Sequence, residues 1–339
     1  MSRGILVGRA VACTVMALVG IGLGADRVSA QRASGSPLAS ASAAMCGTTT
    51  TAPKYKHVVV IFMENNSYQT IMGSTSTPYI HRLSNLCGLA TNYHNVTHPS
   101  LPNYLAATDG GSLAQVTTPF VNDCTPSPGC ESGSNNIFHQ LNVRARRWKG
   151  YAESMPSNCG MSNSGFYAPR HNPAVYYTDL SNCSSHDVPL GTSSSSPLLR
   201  DFSSETSAPA FAWITPNLCD DMHGAAGCPS NLLLTGDNWL KTWLPKLASS
   251  AVYRKHDTVV FIAWDEGEPG SGGENCVANT SDQGCHVVAL VVAPSVKPGR
   301  RVRALLSHYS LLKTSEDLLG LSELGQAKTA PDMAKPFNL

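Results

Sequence analysis

The chain has 339 residues, with 24 Lys and Arg against 23 Asp and Glu and a formal net charge of +1. That balance speaks against a general nucleic-acid binder, though it leaves room for a local basic patch. The length suits one large α/β domain or two small ones.

The amino terminus places Arg3 and Arg9 before an apolar run from Ala10 to Leu23, then small residues ending Val28-Ser29-Ala30. This basic, apolar, small order predicts a secretory signal over residues 1–30 with cleavage after Ala30. The uncharged run is short for a bilayer span, and no later segment is long enough, so no transmembrane segment is expected in the mature chain. Eleven cysteines are present; Cys13 lies in the signal, leaving ten: Cys46, Cys87, Cys124, Cys130, Cys159, Cys183, Cys219, Cys228, Cys276 and Cys285. An even set in an exported chain predicts up to five disulfides, with 124/130, 219/228 and 276/285 as short loop staples. No C-x-x-C occurs, which disfavours zinc-ribbon and thioredoxin readings.

Residues 31–53 are rich in Ser, Ala and Thr and read as a flexible leader, leaving 54–339 as a single domain. Buried-strand runs follow at 57–62, 210–214, 258–263 and 286–292, each continuously apolar rather than alternating. Strands of that kind are covered on both faces. Helical patterns lie over 77–86, 103–108, 136–146, 237–249 and 309–319. Alternation of the two predicts an α/β fold, a three-layer α/β/α sandwich around a mainly parallel sheet. The Ser/Cys/Gly-rich span 156–208 reads as a long surface excursion tied by Cys159 and Cys183.

The chemistry sits where the strands end. The first strand runs into Glu64-Asn65, the second into a turn holding Asp220, Asp221 and His223, and the third into Asp265-Glu266. In open α/β sheets that edge binds ligands. Three acidic strand ends at one edge repel one another unless a cation neutralises them, and carboxylate oxygens suit a hard or borderline divalent metal. Taken singly, each is equally a helix cap or turn former.

The segment Thr97-His98-Pro99-Ser100-Leu101-Pro102-Asn103-Tyr104 supplies a serine at a helix start. Backbone N–H groups and the helix dipole favour an anion such as phosphate there. A serine hydroxyl is a poor nucleophile, and metal coordination activates it without a histidine base.

In their order, HVVVIFMENNSY, TPYIHRL, THPSLPNYLAATDGG, AWITPNLCDDMHG, VVFIAWDEGE and SHYSLLKTSEDLLG resemble the motifs of the bacterial phosphoesterase family. That family holds secreted acid phosphatases and phospholipases C within the alkaline-phosphatase superfamily, and the resemblance covers about residues 56–322. Among its short secreted members are enzymes acting on phosphoinositide phosphate. The resemblance implies Ser100 as nucleophile, with Glu64, Asn65, Ser100, Asp265 and Glu266 around one divalent metal (Ca, Mg, Mn or Zn). Asn65, His98 and Asn103 are implied phosphate contacts, and His308 or His223 the donor of a proton to the leaving group. Asp220, Asp221, His223 and His308 form a candidate second metal or phosphate site. Many relatives carry two Asp where this chain has Asp265-Glu266. His57, His81, His139, His171 and His256 read as hydrogen-bonded structural residues.

The implied activity is that of a secreted, metal-dependent acid phosphatase acting on a phosphate ester, lipid-derived esters included, through a phosphoserine. The first rival is a phospholipase C on lipid head groups, whose longer chains and aromatic choline cage are not evident here. A secreted binding module without catalysis would have lost Ser100 or Glu64, and no G-x-S-x-G marks a conventional serine hydrolase.

Overall fold

A computed structural model describes residues 45–339. The expected signal sequence and the leader up to residue 44 lie outside the described residues. The four apolar runs become β1 (His57–Met63), β5 (Phe211–Thr215), β6 (Thr258–Trp264) and β7 (His286–Val292). They are the contiguous centre of a nine-stranded sheet, in the order β5-β1-β6-β7. Burial on both faces explains their unbroken hydrophobicity: every residue of β1 and β6 is buried.

The flanking strands are β2 (Gly88–His94), β3 (Trp148–Ala152), β4 (Asp187–Pro189), β8 (Arg300–Val302) and β9 (Leu306–Ser307). β7 runs antiparallel to both neighbours, β6 and β2, whereas the other pairings are parallel. The sheet is thus mixed but mainly parallel. Because β5, β1 and β6 are adjacent and parallel, their carboxyl ends open onto one edge.

The main helices are α1 (Pro78–Leu86), α2 (Ser100–Asp109), α3 (Ile137–Val143), α4 (Leu232–Ala248) and α5 (His308–Leu319). α2 begins three residues before the span read from sequence, so Ser100 is its first residue and Pro99 its N-cap. All ten residues of α2 are buried. Its small carboxyl-terminal residues permit this close packing. At Gly110, where φ is 70°, an added Cβ would lie 2.6 Å from the Leu324 carbonyl oxygen. Packing joins α2 to α5 and α1 to α4.

Two expectations need correction. Composition extends the leader through residue 53, but Met45 and Cys46 are buried in the core, and Cys46 is bonded to Cys87. The N–H groups of Thr48 and Thr49 both donate to the Pro294 carbonyl. Polar composition concealed this long-range staple. The span 156–208 is no surface excursion either: Tyr167, Tyr176, Tyr177, Leu190 and Phe202 are buried, and the span contributes β4. The other disulfides are Cys124–Cys130, Cys159–Cys183, Cys219–Cys228 and Cys276–Cys285. Among the described residues no helix is long and apolar enough to cross a membrane.

Candidate active site

The site is built from the ends of three adjacent strands and the start of α2. Glu64 follows β1, and its N–H donates to the Asp221 carbonyl at 2.9 Å. Asp265 follows β6, and its N–H donates to the Met63 carbonyl at 2.9 Å. Asn65 N–H donates to Asp265 Oδ1 at 3.1 Å, with Asn65 at φ 32°. Asparagine is among the few side chains that tolerate positive φ, and this bend leaves Oδ1 3.4 Å from Ser100 Oγ.

Ser100 Oγ also lies 2.9 Å from Glu64 Oε2 and 3.2 Å from Glu266 Oε1. A hydroxyl has one proton to give, yet three oxygens surround this one. The remaining oxygen–oxygen contacts need protonated carboxyls or a cation. Glu64, Asp221 and Asp265 are wholly buried and Glu266 nearly so. Burial, first, pushes all four carboxyls well above the usual carboxylate range. Mutual repulsion adds to it, Asp265 and Asp221 acting on Glu64, and Glu266 on Asp265. Asp265 Oδ2 is buried without a hydrogen-bond partner. An oxygen-rich cluster of buried acids with one orphaned carboxylate oxygen fits a divalent cation.

A second cradle adjoins it. His171 Nε2 lies 3.2 Å from Glu64 Oε1, and His171 Nδ1 lies 3.2 Å from Asp221 Oδ2. The Nε2 contact is an approach rather than an aligned hydrogen bond, since that nitrogen has no hydrogen-bond partner. Burial lowers the His171 pKa well below the usual value, favouring the neutral ring. Donor atoms of Glu64, His171 and His223 lie within 4.8 Å of one another, close enough to share an ion. Tyr104 OH donates a short hydrogen bond to Glu64 Oε1, and its ring stacks on His171 at 5.5 Å.

Of the four residues expected to form a second site, Asp221 and His223 arrive and two do not. Asp220 turns away, accepting from Asn217 Nδ2 at 2.9 Å and abutting Glu153. His308 is fully buried, with Nδ1 3.0 Å from Tyr93 OH and Nε2 2.6 Å from the Asp265 carbonyl. Both nitrogens are satisfied within the protein, so His308 has no proton free for a leaving group. It supports Asp265 instead. His223 Nδ1 meets the Gly224 carbonyl at 2.8 Å, and its Nε2 accepts from Arg170 Nη2 at 3.1 Å. The sequence reading of His171 as structural is also corrected, because it touches Glu64 and Asp221. No local motif marks it.

The side-chain amide of Asn103, expected from sequence to contact phosphate, is engaged by the backbone of the preceding loop. Its Nδ2 donates to the carbonyls of Thr97 at 2.7 Å and Pro99 at 3.1 Å, and its Oδ1 accepts from Val96 N and Thr97 N. The amide fastens the turn that delivers Ser100. His98 Nδ1 lies 2.5 Å from Glu266 Oε2, a separation that requires one proton between them. Gly270 makes room for this ring: a Cβ there would lie 2.1 Å from His98 Cε1. A concavity of about 470 Å³ lined by Thr49, Ser295, Lys297, Arg300 and Phe337 among others contains none of these groups.

Residues 74–322 match the model of the phosphoesterase family. A phosphatidylinositol-3-phosphatase of Mycobacterium tuberculosis is 28% identical over 82% of this chain and 82% of its own length. A probable acid phosphatase of Kluyveromyces lactis is 28% identical over 80% of this chain, which spans 60% of that longer protein. Among solved structures, an alkaline-phosphatase-superfamily protein from Vibrio parahaemolyticus superposes with a TM-score of 0.56 at 15% identity, over 88% of this chain and 79% of that one. That likeness concerns the fold alone. The family match covers most of the chain, Ser100, Asp221, Asp265 and Glu266 included, so the chain belongs to the phosphoesterase family and is a phosphoric ester hydrolase.

Proposed function

We propose that the chain is a phosphomonoesterase of the acid-phosphatase kind, secreted, working through a phosphoserine at Ser100 and dependent on one divalent cation. The reading is carried by the Ser100 hydroxyl, buried at the first residue of α2 and met by oxygens of Glu64, Asn65 and Glu266. None of these partners is a histidine, which favours carboxylate and metal activation over a Ser-His triad.

Ser100 Oγ gives its proton to a carboxylate oxygen, the nearest being Glu64 Oε2 at 2.9 Å. As Oγ attacks phosphorus in line, the Oγ–P bond forms and the ester P–O bond breaks, and the departing alkoxide takes a proton from water. The hydroxide left by that transfer cleaves the phosphoserine, releasing phosphate, and the Ser100 alkoxide recovers the proton held by the carboxylate, restoring both groups. Glu64, Asn65, Ser100, Asp265 and Glu266 would hold the cation, which supplies a lowered serine pKa and countercharge for the phosphoryl oxygens. Tyr104 and His171 orient Glu64, and Asn103 holds the helix start in place.

The named activities of the two relatives support phosphomonoesters as substrates, phosphoinositide phosphate being the lipid-derived one to try. Five disulfides support an extracellular location. The test is metal-stripped protein reconstituted separately with Ca, Mg, Mn or Zn, assayed on p-nitrophenyl phosphate beside p-nitrophenyl phosphorylcholine. Recovery on the monoester with at least one ion is expected. Preference for the phosphorylcholine diester would move the chain to the phospholipase C class. Full activity at a metal content near zero would remove the cation from the account.

A further inference from the structure

The residue after the nucleophile carries a backbone donor of the first turn of α2, and an anion already accepts from it. Leu101 N–H donates to Asp123 Oδ1 at 2.9 Å. The other carboxylate oxygen, Oδ2, lies 3.6 Å from Arg170 Nε. Asp123 comes from a distant turn: it follows a short 3-10 segment, Phe120–Asn122, at φ 50° and precedes the Cys124–Cys130 staple. An aspartate there adopts backbone that non-glycine residues rarely use, which is tolerable where surrounding contacts hold it.

Three elements therefore meet on one carboxylate: a helix end, a guanidinium and a strained turn. Arg170 is in turn ordered by His223, whose Nε2 accepts from Nη2 at 3.1 Å. Asp123 and Arg170 keep side-chain exposures of 25% and 20%, so this group is partly open to solvent, unlike the wholly buried Glu64 and Asp265. Burial raises the Asp123 carboxyl, while Leu101 N–H and Arg170 draw it back. Asp123 also sits close enough to Glu266 to raise that carboxyl. On the inner side, fully buried Asp265 Oδ2 is without a partner, and its carboxyl lies against Ser100. Ser100 therefore stands between an inner carboxyl with an unpartnered oxygen and an outer helix-end donor paired to Asp123.

A phosphoryl group bonded to Ser100 Oγ extends over the same helix end, and the next backbone N–H belongs to Leu101. We propose that Leu101 N–H and the Arg170 guanidinium form the seat for the substrate's phosphoryl oxygens. Asp123 is the resident anion of that seat and leaves it when phosphate arrives. The guanidinium suits this role because its planar donors match two oxygens of one phosphate. Asp123 keeps the donors paired between turnovers, since an unpaired buried N–H is costly. It also makes binding a competition, so that dianionic phosphate displaces it more readily than a weakly charged ester does. The inference rests on Ser100 being the nucleophile, and its test is arranged to read out even if turnover does not pass through Ser100.

The test titrates inorganic phosphate calorimetrically into metal-loaded full-length protein carrying Ser100→Ala, alone and combined with Asp123→Asn or Arg170→Gln. Asparagine keeps an oxygen for Leu101 N–H and removes only the charge. Asp123→Asn is expected to tighten phosphate binding about ten-fold, and Arg170→Gln to weaken it about ten-fold, the scale of one partly screened charge. Phosphate affinity that is unchanged or weaker in Asp123→Asn would overturn the competition, and unchanged affinity in Arg170→Gln would overturn the seat. Asp123→Ser, read in the same way, decides the matter if the Asn variant is poorly folded. Turnover retained by Ser100→Ala would count against the nucleophile and leave this comparison intact.

Discussion

The side chain of Asn103 clasps Thr97 from both sides, donating to its carbonyl at 2.7 Å and accepting from its N–H at 3.1 Å. Both residues are wholly buried. The contact turns a residue expected to touch phosphate into one that shapes the loop ahead of the nucleophile. Asn103→Ala would strand the buried N–H groups of Val96 and Thr97 and should destabilise the fold by about 2–4 kcal/mol. Denaturant unfolding checks this. Wild-type stability combined with a raised KM would instead identify the amide as a substrate contact.

His171 joins Glu64 to Asp221, and its removal would leave two buried carboxyls facing each other without the ring between them. His171→Ala should lower turnover and metal content together, affinity falling by roughly ten- to a hundred-fold as for other groups that orient metal ligands. Metal content by mass spectrometry and turnover on p-nitrophenyl phosphate measure the two effects. A variant with full metal content and full rate would return His171 to a packing role.

Much of the fold was legible in the sequence because the central strands are buried on both faces. Runs such as Val58-Val59-Val60-Ile61-Phe62 leave little ambiguity. The flanking strands were not legible: Gly88-Leu89-Ala90-Thr91-Asn92-Tyr93-His94 and Trp148-Lys149-Gly150-Tyr151-Ala152 mix small and polar residues, and partner strands hold them extended. The same limit applies at the site. Asp220 and Asp221 are neighbours on one turn, yet one faces Glu64 and the other Glu153, a distinction made only by tertiary packing. His57 and His171 are likewise indistinguishable locally: one bonds the Pro209 carbonyl and the other bridges two carboxyls. Ser100, Glu64 and Asp265 were legible because strand ends and a helix start are positions the chain itself specifies.

Several carboxyls remote from Ser100 should make the fold more stable in acid. Burial raises Asp109 from 3.8 to about 7, Asp187 from 3.8 to about 7 and Glu316 from 4.5 to about 8. A group raised in the folded state retains a proton that the unfolded chain releases. Its contribution is complete below the unfolded value and is lost as pH rises through the folded one. Stability should therefore fall between about pH 4 and pH 8, and Asp187→Asn should flatten the slope over the lower part of that window. Thermal unfolding across this range reads both. A Tm that climbs steadily from acid to neutral pH would contradict the assignment.

The central claim is that phosphate passes through Ser100, the hydroxyl met by Glu64, Asn65 and Glu266 at the start of α2. The most direct measurement is an acid-quenched reaction with substrate labelled in its phosphoryl group, followed by peptide mapping. Label on the peptide bearing Ser100 in the wild type is expected, with none in Ser100→Ala and turnover lowered by about a thousand-fold or more. Near-normal turnover in Ser100→Ala, with no labelled serine in the wild type, would contradict the account and transfer the attack to water.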